Sequence, residues 1–170
     1  MEQASPIKNI LFDLGGVILD IDPNATLQGF YELGFPKELL SYPQNMNTDL
    51  FFRYETGKIG TGEFRDELRK LSGVKFSDTK FDAVWNCMIV RIPEERARLI
   101  WKLKERYGIY MLSNTSPLHV PVYEQMYLEA AGKPVHEVFD GLFYSYEIGW
   151  HKPDHGAWKH VVKEAGIVPE

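Results

Sequence analysis

Three short stretches of the 170-residue sequence carry side chains suited to handling a phosphoryl group. In the first, Asp13 follows the apolar run Ile10-Leu11-Phe12 and precedes Leu14-Gly15-Gly16. A carboxylate there can point into a cleft from the end of a strand, and the paired glycines let backbone N–H groups approach an anion. In the second, Ser113 and Asn114 follow Ile109-Tyr110-Met111-Leu112 and lead into a helix, whose N-terminus favours negative charge. In the third, Lys152 stands in Trp150-His151-Lys152-Pro153-Asp154 and offers a cation to a phosphate or to the nucleophile. Each has a plainer reading alone: an aspartate ending a strand is a turn former, Ser-Asn-Thr-Ser is a helix cap, and a lysine before proline is a solvated charge. Chemistry gains weight because three separate strand ends would deliver a nucleophile, a hydroxyl and an ammonium to one crevice.

The elements that must position these groups follow from periodicity. Residues 7–14, 109–112 and 142–146 read as short buried strands. Between the first two lies a helix-rich block, 22–90, with no strand pattern. In it Asn24 caps a helix running to Leu33 and Gly34, 36–40 is a turn, and 49–54 is a helix. Another helix opens at Thr61 with Phe64, Leu68 and Leu71 on one face, and one at Ser77 with Phe81, Val84, Trp85 and Met88. From Pro93 a helix extends to Tyr107, another follows Pro117, and a last one follows Pro153-Asp154 with Trp158, Val161, Val162 and Ala165 on its buried side. This alternation predicts an α/β open parallel sheet with ligands at the carboxyl ends of its strands.

Composition narrows the class. The 44% hydrophobic and 25% charged content is ordinary for a soluble domain, and 170 residues can hold one core with a smaller insert. A net charge of −5 argues against a nonspecific nucleic-acid binder. No apolar run reaches the ~18 residues of a membrane span, and the N-terminus lacks a signal-peptide pattern. The single cysteine, Cys87, excludes an intrachain disulfide and suits a reducing, cytoplasmic setting; it reads as a small apolar filler. His119, His136, His151, His155 and His160 show no trusted metal-ligand spacing, and Tyr42, Phe51, Phe52, Tyr54 and Trp85 read as packing within the helical block.

The segment from Phe12 to Asp20 resembles motif I of the haloacid dehalogenase-like (HAD) superfamily. Leu112-Ser113-Asn114-Thr115 is similar to its motif II, and Lys152-Pro153-Asp154 to its motif III, with the helical block where that family carries its cap. The resemblance implies a Rossmann-like core over 1–21 and 91–170 with an inserted helical cap over 22–90. It implies a phosphatase of a small phosphorylated metabolite, nearest the sugar-phosphate phosphatase-like branch whose first motif reads Phe-Asp-Leu-Gly. Asp13 would attack phosphorus and form an aspartyl-phosphate. Ser113, with N–H groups around Leu14, Gly15 and Gly16 and at Asn114, would hold the phosphoryl oxygens, and Lys152 would balance their charge. A Mg²⁺ would sit on the Asp13 carboxylate and the Gly15 carbonyl. Neither nucleic acid nor membrane is an expected partner.

Two departures from the family pattern carry expectations of their own. Many members place a second aspartate, the general acid, two positions after the nucleophile; here Gly15 stands there, as it does in the branch resembled. Such an acid is worth ~10²–10⁴-fold, and Asp20 or Asp22 are the nearby carboxyls that could replace it, although both look like polar residues leading into the cap. The sequence also ends at Glu170, before the strand that carries the family's fourth motif and its acids. From this the core is expected to be C-terminally incomplete, with weak activity and an open edge on the first strand that favours self-association. Two further readings stand beside the phosphatase: a 2-haloacid dehalogenase, and a catalytically incompetent fragment or binding module.

Overall fold

Residues 7–40 and 48–167 are described by a computed structural model. The chain begins with β1 (Asn9–Phe12), β2 (Asp20–Ile21) and then α1 (Pro23–Glu32), α2 (Lys37–Leu40), α3 (Thr48–Glu55), α4 (Thr61–Ser72) and α5 (Asp78–Asn86). It continues through β3 (Ile89–Arg91), α6 (Glu94–Leu103), β4 (Gly108–Ser113), α7 (Val120–Ala131) and α8 (Val135–Val138). β5 (Gly141–Tyr144), α9 (Ser145–Ile148) and α10 (His155–Glu164) complete it. The predicted parallel sheet is present, in the order β1-β4-β5. Phe12 pairs with Met111, and Ser113 with Tyr144, so the chain leaves all three strands at the same end.

Side-chain alternation distributes the strands between two apolar layers. Ile10, Phe12, Ile109 and Met111 join one cluster with Ala97 and Ile100 of α6 and Tyr123 and Tyr127 of α7. Leu11, Tyr110 and Leu112 face the other way, toward Ala157 and Val161 of α10. Covering both faces explains why the strands read as nearly continuous apolar runs. Among the described residues β1 pairs with β4 alone, so its other side is an edge.

The helical block has its own core. Phe30, Leu50, Tyr54, Phe64, Leu68, Phe81 and Trp85 are buried together, with Tyr54 stacked on Phe64 at 4.0 Å between ring centroids. It joins the sheet through an antiparallel ribbon, β2 with β3, that the sequence pattern does not show: two- and three-residue strands are too short for periodicity to register. Asp20 clamps that ribbon by pairing with Arg91 (3.1 Å) and with Arg96 of α6 (2.7 Å).

Several expectations need correcting. Asp22, not Asn24, caps α1: its carboxylate accepts from the Asn24 N–H, and Pro23 takes the first helical position, where its missing N–H costs nothing. The third strand stops at Tyr144 because Ser145 opens α9. The helix expected from Pro93 to Tyr107 ends at Leu103, with Pro93 as its N-cap. Trp158 is 44% exposed, since the buried stripe of α10 is set by Ala157 and Val161 and the adjacent residue points about 100° aside. Leu71, in the last turn of α4, is 43% exposed. Cys87 is exposed, its thiol against the Ala83 carbonyl at 3.2 Å, and is no core filler. Tyr42 lies outside the described residues.

Two glycines of the block differ in what they tolerate. Gly57 has φ +68° and an added Cβ would stand 2.1 Å from the Tyr146 carbonyl oxygen, whereas Gly62 sits in the first turn of α4 with open space beside it. Gly57→Ala is expected to lower Tm by ~2 °C or more, from the left-handed backbone alone. Gly62→Ala should raise stability by ~0.5–1 kcal/mol. Thermal denaturation of the two variants checks both signs.

Candidate active site

Asp13 follows β1 directly and begins a turn anchored in the core. Leu14, Ile18 and Leu19 are buried, and the Leu14 carbonyl accepts from the N–H groups of Val17 (3.3 Å), Ile18 (2.9 Å) and Leu19 (2.9 Å). Gly16 has φ +76°, a conformation glycine adopts without strain. Gly15 is different: its φ is not left-handed, and an added Cβ would make ordinary contact with Ile21 Cδ1 at 3.4 Å. Only the second glycine of the pair is therefore required by the backbone.

The three strand ends do meet. Lys152 Nζ lies 2.7 Å from Asp13 Oδ1 and donates to the Leu112 carbonyl at 2.9 Å. Side-chain exposure is 17% for the lysine and 46% for the aspartate, so the carboxylate opens to solvent while the cation is held from behind. Asp13 Oδ1 also accepts from the Leu14 N–H at 2.7 Å. Ser113, one residue beyond Leu112, is 2% exposed, and among the described residues its hydroxyl has only a long 3.4 Å contact to the Asn114 carbonyl.

The expected N–H cradle is partly engaged. The Leu14 N–H is turned to Asp13, and the Gly16 N–H donates to the Leu19 carbonyl at 2.8 Å, closing the turn. Among the described residues the Gly15 N–H has no acceptor, which leaves it as the open donor of the three. The Asn114 side chain faces Lys152, not the cleft: Oδ1 accepts from the Lys152 N–H at 2.8 Å and Nδ2 donates to its carbonyl at 3.0 Å. One carboxamide thus satisfies both backbone groups of the lysine.

Nearby carboxyls do not supply an acid. Asp20 is held below the ordinary carboxylate range by hydrogen bonds from Arg91 and then Arg96, so it keeps no proton to give near neutrality. Asp22 is occupied as the α1 cap. Among the histidines, His119 is half-buried against Trp85, at 5.4 Å and nearly parallel; desolvation pushes it down to about 4, and Nδ1 lies 2.8 Å from Asn86 Oδ1. His151 pairs with Glu55 of α3 at 2.7 Å. Sequence reasoning missed this pair. His151 stood beside Lys152 without a stated role, and nothing local to Glu55 signals a partner 96 residues away.

For a metal, the family resemblance nominates one carboxylate, Asp13, and the Gly15 carbonyl. No group of three or more His, Cys, Asp or Glu side chains that could hold an ion occurs among the described residues. Two oxygen donors suit Mg²⁺, which keeps several waters and takes further oxygens from a bound phosphate. They do not suit a softer ion that needs imidazole or thiolate.

No protein-family model matches the chain. It is 31% identical over 163 residues to D-ribitol-5-phosphate phosphatase of Bacteroides thetaiotaomicron, covering 96% of this chain and 79% of that protein. The crystal structure of a HAD family enzyme from the same organism superposes with a TM-score of 0.91 at 34% identity, covering 97% of this chain and 81% of that one. That enzyme's complex with magnesium and inorganic phosphate gives 0.86, with coverage of 95% and 80%. A predicted HAD-like hydrolase from Porphyromonas gingivalis gives 0.85 at 26% identity, covering 96% and 78%.

If Asn114 serves as the clasp on the Lys152 loop, Asn114→Ala should leave a backbone donor and acceptor unpaired in a partly buried place. The expected cost is ~1–3 kcal/mol of unfolding free energy, read from the midpoint of a urea titration at unchanged slope.

Proposed function

The chain belongs to the HAD family, and we propose that it is a Mg²⁺-dependent phosphatase that hydrolyses a small phosphorylated metabolite through an aspartyl-phosphate on Asp13. The observation that carries this reading is the 2.7 Å pairing of Lys152, from the loop after α9, with Asp13 at the carboxyl end of the parallel sheet. Similarity to a D-ribitol-5-phosphate phosphatase makes sugar and sugar-alcohol phosphates the first substrates to try.

In the proposed mechanism a carboxylate oxygen of Asp13 attacks phosphorus as the ester P–O bond breaks, and the leaving oxygen takes a proton from solvent water and departs as the alcohol. Water then attacks phosphorus, the acyl-phosphate P–O bond breaks, and phosphate leaves with the carboxylate restored. Lys152 stays fixed by Leu112 and offsets negative charge on the carboxylate and the transferring group. The Gly15 N–H and the Ser113 hydroxyl are the donors for phosphoryl oxygens. Mg²⁺ held by Asp13 and the Gly15 carbonyl would screen the repulsion between the two anions. Residues 1–21 and 91–170 act as the catalytic body in this reading, 22–90 as the cap, and the cytoplasm as the compartment.

Because Gly15 has no proton to donate, the rate should depend strongly on the leaving group. Activated p-nitrophenyl phosphate is expected to turn over faster than D-ribitol 5-phosphate at saturation. Gly15→Asp, which the backbone and the Ile21 contact accommodate, should raise kcat for the alkyl ester by ~10-fold or more. Asp13→Asn should reduce phosphate release from either ester by ~10³-fold or more. Hydrolysis is followed with and without added Mg²⁺; release of phosphate that survives Asp13→Asn would remove the aspartyl-phosphate route.

A further inference from the structure

A polar path runs from the helical cap into the loop that carries Lys152. Glu55 closes α3, and its Oε2 lies 2.7 Å from His151 Nε2; the two side chains are only about a quarter exposed, at 27% and 26%. His151 Nδ1 lies 3.0 Å from Asn114 Nδ2 and 2.8 Å from the Lys152 carbonyl. Asn114 in turn clasps the Lys152 backbone, and Lys152 Nζ reaches Asp13. Each link from Glu55 to Asp13 is a hydrogen bond or an ion pair. Other polar contacts of the cap with the sheet side, from Trp85 Nε1 to Ser116 (3.0 Å) and between Asn86 and His119, end on the loop after β4 and not on Lys152.

We propose that Glu55 and His151 are positioning residues: the carboxylate of the cap fixes the imidazole behind the Asn114–Lys152 clasp, so that docking of the cap sets the ammonium opposite Asp13. This rests on the phosphatase reading only for its consequence on rate.

The ring can serve this purpose in either protonation state. Nε2–H donates to Glu55 in both. Neutral His151 accepts the second Asn114 Nδ2 hydrogen at Nδ1; protonated His151 donates from Nδ1 to the Lys152 carbonyl, and Asn114 keeps its bonds to the lysine backbone. The Glu55 hydrogen bond, against the opposing effect of burial, holds His151 above its ordinary 6.5. Glu55 from α3 favours the charge and Lys152 opposes it, while Phe52 (5.8 Å between rings) and Asn114 are uncharged neighbours. With the folded value raised, the ionic part of the contact is complete below pH ~6.5 and is lost as pH rises through the raised value.

The test compares the full chain with Glu55→Gln, His151→Gln and, as a control within the cap, Arg53→Gln, whose ion pairs to Asp49 and Glu63 do not reach the core. Imidazole titration by NMR should show the His151 midpoint falling toward ~6.5 in Glu55→Gln. Amide exchange of residues 149–154 should quicken by ~10-fold in Glu55→Gln and in His151→Gln, and stay unchanged in Arg53→Gln. With p-nitrophenyl phosphate and Mg²⁺, kcat should fall ~10-fold in the first two with KM within about twofold. An unmoved midpoint and unmoved exchange in Glu55→Gln overturn the proposal, as does an equal loss of kcat in Arg53→Gln. If the parent chain has no turnover, the phosphatase reading fails, while titration and exchange still decide whether the cap positions the Lys152 loop.

Discussion

An ammonium held between a backbone carbonyl and a carboxylate joins the ends of the strands. Lys152 Nζ has the Leu112 carbonyl on one side and Asp13 on the other. That geometry requires the register in which Phe12 stands beside Met111, because only then does the chain leave β1 next to the last carbonyls of β4. A shift by one residue would exchange the two apolar faces of β1 and carry Asp13 away from Lys152. The apolar layers that fix the register also fix the distance between Asp13 and Lys152.

The cap is stable for reasons that have little to do with the sheet. Its aromatic cluster buries Phe30, Tyr54, Phe64, Phe81 and Trp85 among themselves, and an Arg65-Arg69 network with Asp66, Asp78 and Asp82 covers its surface. Its attachment mixes polar and apolar contacts: a short ribbon braced by Asp20, the close approach of Gly57 to the Tyr146 carbonyl, the Trp85–Ser116 bond and Glu55 on His151, beside Leu118 packed on the cap core and Trp85 stacked on His119.

Legibility in the sequence tracked the length of the pattern. The runs through Leu11-Phe12 and Ile109–Leu112 and the helices opening at Thr61 and Ser77 were readable because apolar residues repeat over several turns or strand steps. Asp13, Ser113 and Lys152 were readable as ends of such runs, and the structure brings their strand ends together. The β2–β3 ribbon and α9 were not, at two to four residues each. The clasp made by the Asn114 side chain was hidden for another reason. A carboxamide after a strand looks the same in sequence whether it faces a ligand or clasps a loop 38 residues away. Glu55 and His151 share that difficulty, since each acquires meaning only when the cap is set upon the sheet.

Polarity at the junction also bears on the missing acid. In the proposed reaction the departing alcohol must collect a proton, and the residue two beyond the nucleophile cannot give one. Asp20 is committed to two arginines and Asp22 to a helix end. The proton is then left to water or to the substrate's own hydroxyl groups, and a site sealed by apolar packing would hinder that supply. A cap that meets the Lys152 loop through a partly exposed carboxylate–imidazole pair can orient the ammonium without drying the cleft. The polar contact of the cap with the Lys152 loop and the turn without its acid are, on this view, two sides of one chemical arrangement.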